Sequence, residues 1–154
     1  MLNIEPVPQI YTQKRECLGK ETEANLSIHI PGEGNSYYAK VVLKEQGSLK
    51  FRILLAKGKD SRLWLLSDGF SVRIFTEGTK TEDIGFSVEI RPWEIEIFMD
   101  RRVVEVFVNQ GQAAGTKIFC CDRTDTIFQT DFEEVNEVKS VEVYKMESVW
   151  AIKK

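Results

Sequence analysis

The sequence predicts an all-β fold, either a β-sandwich or a β-barrel, and three observations support this prediction. Apolar and polar residues alternate in many short runs along the 154 residues, which is typical of strands that bury one face. Turn signals such as Ser67-Asp68-Gly69 separate these runs about every 8–12 residues. The resulting set of about eleven or twelve short strands indicates a sandwich or a barrel.

The predicted strands follow one another from Thr22 to Met146. Alternations or short apolar runs occur at Thr22–Ile30, Tyr38–Leu43, Phe51–Ala56, Arg62–Leu66, Phe70–Thr76, Gly85–Arg91 and Ala114–Cys120. Glu94–Asn109 is predicted to be a hairpin that turns at Asp100-Arg101-Arg102 and buries one face of each strand. In Phe132–Trp150 apolar residues recur every third position, as in a helix. The β-branched content there nevertheless favours a strand from about Glu137 to Met146.

The length fits a single domain. Residues 1–20, which contain Pro6 and Pro8, are predicted to be an entering connection, and residues 21–154 to be the β-sandwich domain. A chain of 154 residues buries roughly 70% of the surface that its unfolded form exposes. We therefore expect a core large enough to fold without disulfides or a metal.

The composition excludes several classes of function. With 21 basic and 24 acidic residues the net charge is −3, so no basic surface for nucleic acid or a membrane is expected. No apolar run reaches the ~20 residues of a membrane helix, and the N-terminus lacks the pattern of a secretory signal. The cysteines Cys17, Cys120 and Cys121 are odd in number and two are adjacent, which indicates reduced thiols and a cytoplasmic location.

Few residues offer catalytic or metal chemistry, so no catalytic residue, metal or cofactor is predicted. The single histidine, His29, alternates outward between Ile28 and Ile30 and is interpreted as a surface residue. Cys120 and Cys121 point to opposite faces of a strand and cannot easily share a metal ion.

Two sets of side chains could in principle hydrolyse or bind a sugar. The carboxylates are interpreted as the solvated polar face of a sheet rather than as the acid pair of a glycosidase: Glu94, Glu96, Asp100, Glu105, Glu133 and Glu134. The aromatic residues could stack on sugar rings or fill the core: Trp64, Trp93, Trp150, Tyr37, Tyr38 and Tyr144. Trp64 and Trp150 are predicted in the core and Trp93 partly exposed, and no sugar-binding residue is assigned.

The segment Gly85–Phe119, GFSVEIRPWEIEIFMDRRVVEVFVNQGQAAGTKIF, resembles the C-terminal module of glycoside hydrolase family 32. The shared pattern is I/L-x-I-F-x-D-x-x-x-V-E-V-F-x-N-x-G. Its residues here are Ile95, Ile97, Phe98, Asp100, Val104, Glu105, Val106, Phe107, Asn109 and Gly111. Thr116 before a short apolar strand and the ending Val138–Trp150 are also similar to the family. The resemblance is strong over Gly85–Trp150 and weaker over Lys20–Gly78.

This resemblance implies a sandwich of two antiparallel sheets, a lectin-like or concanavalin A-like jelly roll, packed against a five-bladed β-propeller. The propeller would be supplied in the same chain or by a second chain. The family hydrolyses sucrose, sucrose 6-phosphate or fructans with retention of configuration. Its catalytic residues lie in W-M-N-D-P-N-like, R-D-P and E-C-P motifs, which this sequence lacks. Glu16-Cys17 is similar to the last motif, but Leu18 stands where proline is needed, so we interpret the match as coincidence.

The predicted function is therefore that of a non-catalytic C-terminal module of a β-fructofuranosidase-like enzyme, which stabilises or shapes a propeller domain that is missing here. The alternative is a stand-alone lectin-like module that binds sucrose or a fructan. An enzyme with a new pair of carboxylates is the least favoured reading. Removal of the propeller would expose an apolar surface, so a homodimer is a further expectation.

Overall fold

A computed structural model describes residues 14–21, 25–30, 36–44, 49–58, 60–78, 82–100, 103–118, 123–125 and 127–146. Most of these residues belong to antiparallel β-strands. In chain order the strands are β1 (Lys14–Glu21), β2 (Ser27–His29), β3 (Tyr37–Leu43), β4 (Phe51–Gly58), β5 (Ser61–Ser67), β6 (Ser71–Gly78), β7 (Glu82–Glu89), β8 (Glu94–Asp100), β9 (Val103–Val108), β10 (Ala113–Ile118), β11 (Arg123–Asp125), β12 (Ile127–Phe132) and β13 (Val138–Met146).

The strands form two sheets, which confirms the predicted two-sheet antiparallel β-sandwich. Sheet A has six strands in the order β1-β13-β3-β8-β9-β10. Sheet B has seven strands, with β2-β12-β4-β5-β6-β7 in order and the short β11 paired with β4. Every strand pair is antiparallel.

One hydrophobic core fills the space between the sheets and contains buried residues from both. Tyr37 on β3 shows how the sheets are joined. Its hydroxyl donates a 2.7 Å hydrogen bond to the carbonyl of Leu55 on β4, and its ring meets Phe128 on β12 edge-on at 5.6 Å. The buried tyrosine therefore keeps its polar atom satisfied while its ring contributes to the core.

Glycines allow the two sheets to approach closely at both open edges. At one edge β1 lies over β2, and a Cβ on Gly19 would stand 2.3 Å from the Cδ1 atom of Ile28. At the other edge β10 lies over β7, and a Cβ on Gly115 would stand 2.1 Å from the Cδ1 atom of Phe86. In each case a large side chain of sheet B occupies the space that a side chain of sheet A would need.

The C-terminal strand is confirmed at Val138–Met146, close to the predicted range. The apolar spacing of three in this region has a simple origin. Phe132 ends β12, and the 3-10 turn Val135–Glu137 lies between β12 and β13. The apparent helical period therefore runs across three different elements.

The N-terminal part of the sandwich begins earlier in the chain than the predicted boundary at residue 21. β1 starts at Lys14 and pairs with β13 along the edge of sheet A. The predicted strand at Thr22–Ile30 is represented by β2, which is only three residues long. Pro6, Pro8 and Trp150 lie outside the described residues. In the described part of the chain, no helix is long and apolar enough to cross a membrane.

Candidate functional site

The residues that could carry nucleophilic or metal chemistry are dispersed. Within the described ranges, no group of three or more His, Cys, Asp or Glu side chains could hold a metal ion. His29 is exposed on β2, as predicted, between the buried Ile28 and Ile30. Cys17 is exposed on β1, where its Sγ donates to the carbonyl of Gly19 at 3.6 Å. The adjacent cysteines of the sequence, at 120 and 121, lie outside the described residues.

Sheet A buries aromatic side chains on its outer face, where the sequence analysis expected polar residues. Tyr38, Phe98, Phe107 and Met146 form a second hydrophobic cluster that is separate from the core between the sheets. The ring of Phe98 lies 4.8 Å from that of Tyr38 and 5.8 Å from that of Phe107, measured between centroids. The hairpin prediction of one buried face per strand is therefore wrong for β8, whose first six residues are all buried.

Two of the predicted solvated carboxylates lie within this outer face, and that interpretation is corrected for them. Glu94 and Glu96 are each only 7% exposed. Glu96 accepts a 2.6 Å hydrogen bond from the hydroxyl of Tyr38, and Glu94 lies 3.8 Å from the ammonium group of Lys40. The neighbouring aromatic rings shield these groups from water, and the partners compensate for the lost hydration. The other candidates differ, because Glu133 and Glu134 are exposed as expected.

Asp100 and Glu105, the remaining candidates, are partly exposed at the end of the hairpin. Asp100 accepts a 2.7 Å hydrogen bond from the hydroxyl of Ser36. On the same face, on β13 next to the edge strand β1, the hydroxyl of Tyr144 donates to Glu142 at 2.5 Å. This hydrogen bond favours the neutral phenol and raises the pKa of Tyr144 to about 12, with smaller contributions from burial and from nearby negative charge.

The asparagine of the family pattern has a structural role that is visible in its contacts. Asn109 adopts a left-handed backbone conformation with φ of 54° and is followed by Gln110 at 57°. Its side-chain oxygen accepts from the backbone N–H groups of Trp93 at 2.7 Å and Glu94 at 3.2 Å. Its amide nitrogen donates to the carbonyl of Arg91 at 2.9 Å. Asparagine tolerates this conformation better than most residues and here satisfies both ends of a buried turn.

A groove of about 780 Å³ crosses the outer face of sheet B, at the end where residues 68–70 join β5 to β6. Its residues come from β4, β5, β6, β7 and β12 and the turns beside them. The side chains that matter below are Lys50, Arg52, Phe70, Arg73, Glu89 and Asp131. The groove was not predicted from the sequence, although Glu133, one of the carboxylates considered there, lines it.

Trp64 lies on the outer face of sheet B beside this groove, so its predicted place in the core is wrong. Its ring is partly exposed, and its Nε1 donates to Glu77 at 3.0 Å. The guanidinium of Arg52 lies over the ring, 5.0 Å from its centroid, and is paired with Asp131 at 3.1 Å. Arg52 therefore covers one face of the Trp64 ring. Trp93, in contrast, is partly exposed as predicted.

The turn at the end of the groove is organised by Asp68. Its carboxylate accepts from the backbone N–H groups of Phe70 at 2.8 Å and Ser71 at 2.9 Å, and from the Ser71 hydroxyl at 3.1 Å. The hydrogen bond from the Phe70 backbone is the main reason that the pKa of Asp68 is lowered. This turn presents the ring of Phe70, which is 56% exposed, with the guanidinium of Arg91 5.3 Å from its centroid.

Fold and surface together define the class of this protein: a β-sandwich domain with a closed core, a buried aromatic outer face on one sheet and an open groove on the other. The family model described as glycosyl hydrolases family 32 C terminal matches residues 11–145. The chain therefore belongs to the family of glycosyl hydrolase family 32 C-terminal domains. A search of curated proteins gave no match.

Solved structures support the same assignment. A glycoside hydrolase of family 32 from Bifidobacterium adolescentis matches with a TM-score of 0.78 and 28% identity, over 97% of this chain and 24% of the enzyme. A Bombyx mori β-fructofuranosidase of the family matches at 0.69 and 17% identity, over 95% of this chain and 30% of the enzyme. Thus the chain spans between about a quarter and a third of these enzymes.

A similar sandwich also occurs as a complete small protein. Sheep galectin-11 matches with a TM-score of 0.56 and 11% identity, over 80% of this chain and 98% of the galectin. At that identity the likeness concerns the fold alone.

Proposed function

We propose that this chain is the non-catalytic C-terminal module of a β-fructofuranosidase-like hydrolase of sucrose or sucrose 6-phosphate. The proposal rests on the difference in length between this chain and the related enzymes. The match covers 97% of this chain but only 24% of the Bifidobacterium enzyme. The rest of such an enzyme would contain the catalytic propeller. The proposed substrates are those in the names of related structures, a Bombyx mori enzyme in complex with sucrose and a Lactobacillus gasseri sucrose-6-phosphate hydrolase.

The environment of the carboxylates supports a non-catalytic role. A retaining glycosidase uses two carboxyl groups about 5–5.5 Å apart, one as nucleophile and one as acid and base. Glu94 and Glu96 are buried and are held by Lys40 and Tyr38, so their contacts are those of a folded sheet rather than of an open active site. We therefore assign the hydrolytic chemistry to the propeller.

The proposed contribution of the module is to stabilise the propeller and shape the approach to its active site. Domains of one chain typically share interfaces of about 600–1,500 Å². A sandwich that buries such an area against the propeller raises the free energy of unfolding of both domains. The same contact could form in trans if the propeller is a second chain.

A chimera tests this role. The sandwich of the Bifidobacterium enzyme is replaced by this chain, and the temperature at which sucrose hydrolysis is lost is compared with that of the enzyme without a sandwich. We expect the chimera to stay active to a higher temperature, because the packed sandwich stabilises the catalytic domain. A chimera that loses activity at the same temperature as the truncated enzyme would contradict the proposal.

A pair of variants in this chimera separates stabilisation from simple attachment. Gly115→Ala disturbs the interior of the sandwich at its contact with Phe86, whereas Lys139→Ala changes an exposed side chain on β13. If the sandwich stabilises the propeller, Gly115→Ala lowers the temperature of activity loss and Lys139→Ala leaves it unchanged. Equal temperatures for both variants would mean that the sandwich is only attached to the propeller.

Two expectations accompany the proposal. The isolated module is expected to self-associate through the surface that the propeller would cover, and sedimentation velocity of the purified chain measures this directly. A cytoplasmic location with reduced thiols remains the expectation for the three cysteines.

Sugar binding by the sandwich itself is the second candidate function. It requires a surface that combines polar groups with an apolar wall. The groove beside Phe70 has this combination.

A further inference from the structure

The groove on sheet B places side chains in one row across neighbouring strands, and all of them are polar except the central Leu66. Asp131 pairs in register with Arg52, Arg52 with Leu66, Leu66 with Arg73, and Arg73 with Ser87. Side chains at directly opposed positions of antiparallel strands lie about 4.5–5.5 Å apart. Polar groups therefore lie in two neighbouring pairs, Asp131 with Arg52 and Arg73 with Ser87, and the apolar Leu66 lies between the two pairs.

Some charged groups of the groove are fixed by the protein, and others are available to a ligand. Arg52 is paired with Asp131, and Asp68 is held by the turn that it organises. Within the part of the chain that the structure describes, the side chains of Arg73 and Glu89 take part in no hydrogen bond or ion pair. The groove thus has a fixed frame and polar groups of both signs that can still bind.

Phe70 adds an apolar wall beside this row. Its ring lines the groove and is 56% exposed, and the guanidinium of Arg91 lies 5.3 Å from the ring centroid. A ligand would therefore pack on the part of the ring that Arg91 leaves open. The hydrogen bonds from the backbone of Phe70 and Ser71 to Asp68 hold the turn, so the ring is presented from a defined backbone rather than from a loose loop.

We propose that this groove binds a neutral oligosaccharide. Lys50, Arg52 and Arg73 face Asp68, Glu89, Asp131 and Glu133, so cations and carboxylates are nearly balanced and a strongly charged ligand gains little. Adjacent hydroxyl groups of a sugar donate to carboxylates and accept from guanidinium groups, and the C–H face of a sugar ring packs on an aromatic side chain. The volume of about 780 Å³ lies within the range of about 300–1,000 Å³ typical of small-molecule sites.

This site rests on the second candidate function above, sugar binding by the sandwich, and does not depend on the structural role. A sandwich that stabilises a propeller need not bind sugar, and a sugar-binding groove works whether or not a propeller is attached. A protein surface, such as that of the propeller, is the competing occupant. It would cover the groove in the whole enzyme without giving the isolated chain any affinity for sugars.

The test is an amide NMR titration of the purified chain with sucrose, short fructo-oligosaccharides and cello-oligosaccharides. We expect saturable shifts confined to the Phe70–Arg73 and Ser87–Glu89 amides with at least one of these probes. Arg73→Gln should weaken that binding about tenfold or more, since a lost hydrogen bond from a charged donor is a large part of a weak affinity. Phe70→Ala should weaken it by a similar factor.

Arg62→Gln is the matched control, because Arg62 is an exposed arginine of sheet B that does not line the groove. It should leave the affinity unchanged. The absence of saturable shifts with every probe at millimolar concentration would overturn the proposal. So would shifts outside the groove, or equal weakening by Arg62→Gln and Arg73→Gln.

Discussion

Gly115 on β10 and Phe86 on β7 meet across one open edge of the sandwich, so closely that a Cβ on the glycine would lie 2.1 Å from the Cδ1 atom of the phenylalanine. The phenylalanine ring of one sheet thus lies directly against the backbone of the other. Gly19 and Ile28 repeat this arrangement at the opposite edge. Both edges of the core are closed by a glycine of sheet A and a large side chain of sheet B.

Gly115→Ala should lower the free energy of unfolding by about 1–3 kcal/mol, because the added methyl group forces the Phe86 ring to move. Thr116→Ala, on the exposed outer face of the same strand, should change it by less than about 0.5 kcal/mol. Urea denaturation measures both. In a Phe86→Ala background Gly115→Ala should be nearly neutral, and an unchanged effect there would show that Phe86 is not the obstacle.

Asn109→Ala should be strongly destabilising, by about 1–3 kcal/mol or more, because the backbone N–H groups of Trp93 and Glu94 lose their acceptor. Asn109→Gly fits the left-handed backbone but loses the same hydrogen bonds, so it should also destabilise. Gln110→Gly, at the next left-handed position, should be neutral or slightly stabilising. Equal stability of Asn109→Gly and the native chain in denaturation would show that conformation, not hydrogen bonding, explains the asparagine.

Tyr38→Phe should cost about 1.5–3 kcal/mol of stability, because it removes a buried 2.6 Å hydrogen bond to the carboxylate of Glu96. Tyr144→Phe removes a similar hydrogen bond to Glu142 at a partly exposed position on β13 and should have a smaller effect. Thermal unfolding of the two variants gives the comparison. A larger loss for Tyr144→Phe would contradict the view that burial makes the Tyr38 contact the more important one.

The raised pKa of Tyr144 predicts that the stability of the folded chain decreases at alkaline pH. Its pKa is raised to about 12 from the ordinary tyrosine value of 10.0, so the folded state holds the phenolic proton more tightly than the unfolded state does. The stabilisation is therefore fully present below pH 10 and is lost as the pH rises towards 12. The stability advantage of the native chain over Tyr144→Phe should shrink across this range. Difference absorbance of tyrosinate should show one fewer late-titrating tyrosine in the variant.

The sandwich could be predicted from the sequence because alternation reports burial on one face directly. Ile95, Ile97, Val104 and Val106 alternate with charged or aromatic residues, and all four are fully buried between the sheets. Trp64 lies between Leu63 and Leu65, which both face the core. The alternation therefore indicates that Trp64 points to the outer face. The expectation that a large aromatic belongs inside outweighed that pattern and led to the wrong placement.

The second buried face of sheet A had a weaker signal in the sequence. Ile97-Phe98-Met99 and Val106-Phe107-Val108 are continuous apolar runs, which indicate strands buried on both faces. The charge of Glu94 and Glu96 nevertheless favoured an exposed outer face. A carboxylate can be buried when it has a tyrosine or lysine partner, so charge alone does not predict exposure here.

The groove could not have been predicted from one sequence. Asp131 stands beside Arg52 only because β12 pairs with β4, although 79 positions separate the two residues in the chain. Strand order in a sandwich is set by the pairing of distant segments, which alternation does not reveal.

The central claim is that this module is non-catalytic, and the most direct test is sucrose hydrolysis by the purified chain alone. We expect no release of glucose and fructose above a buffer control, at any chain concentration. Sustained release that rises in proportion to the amount of chain and persists after repurification would contradict it. In that case a catalytic pair of carboxylates would have to exist within these 154 residues.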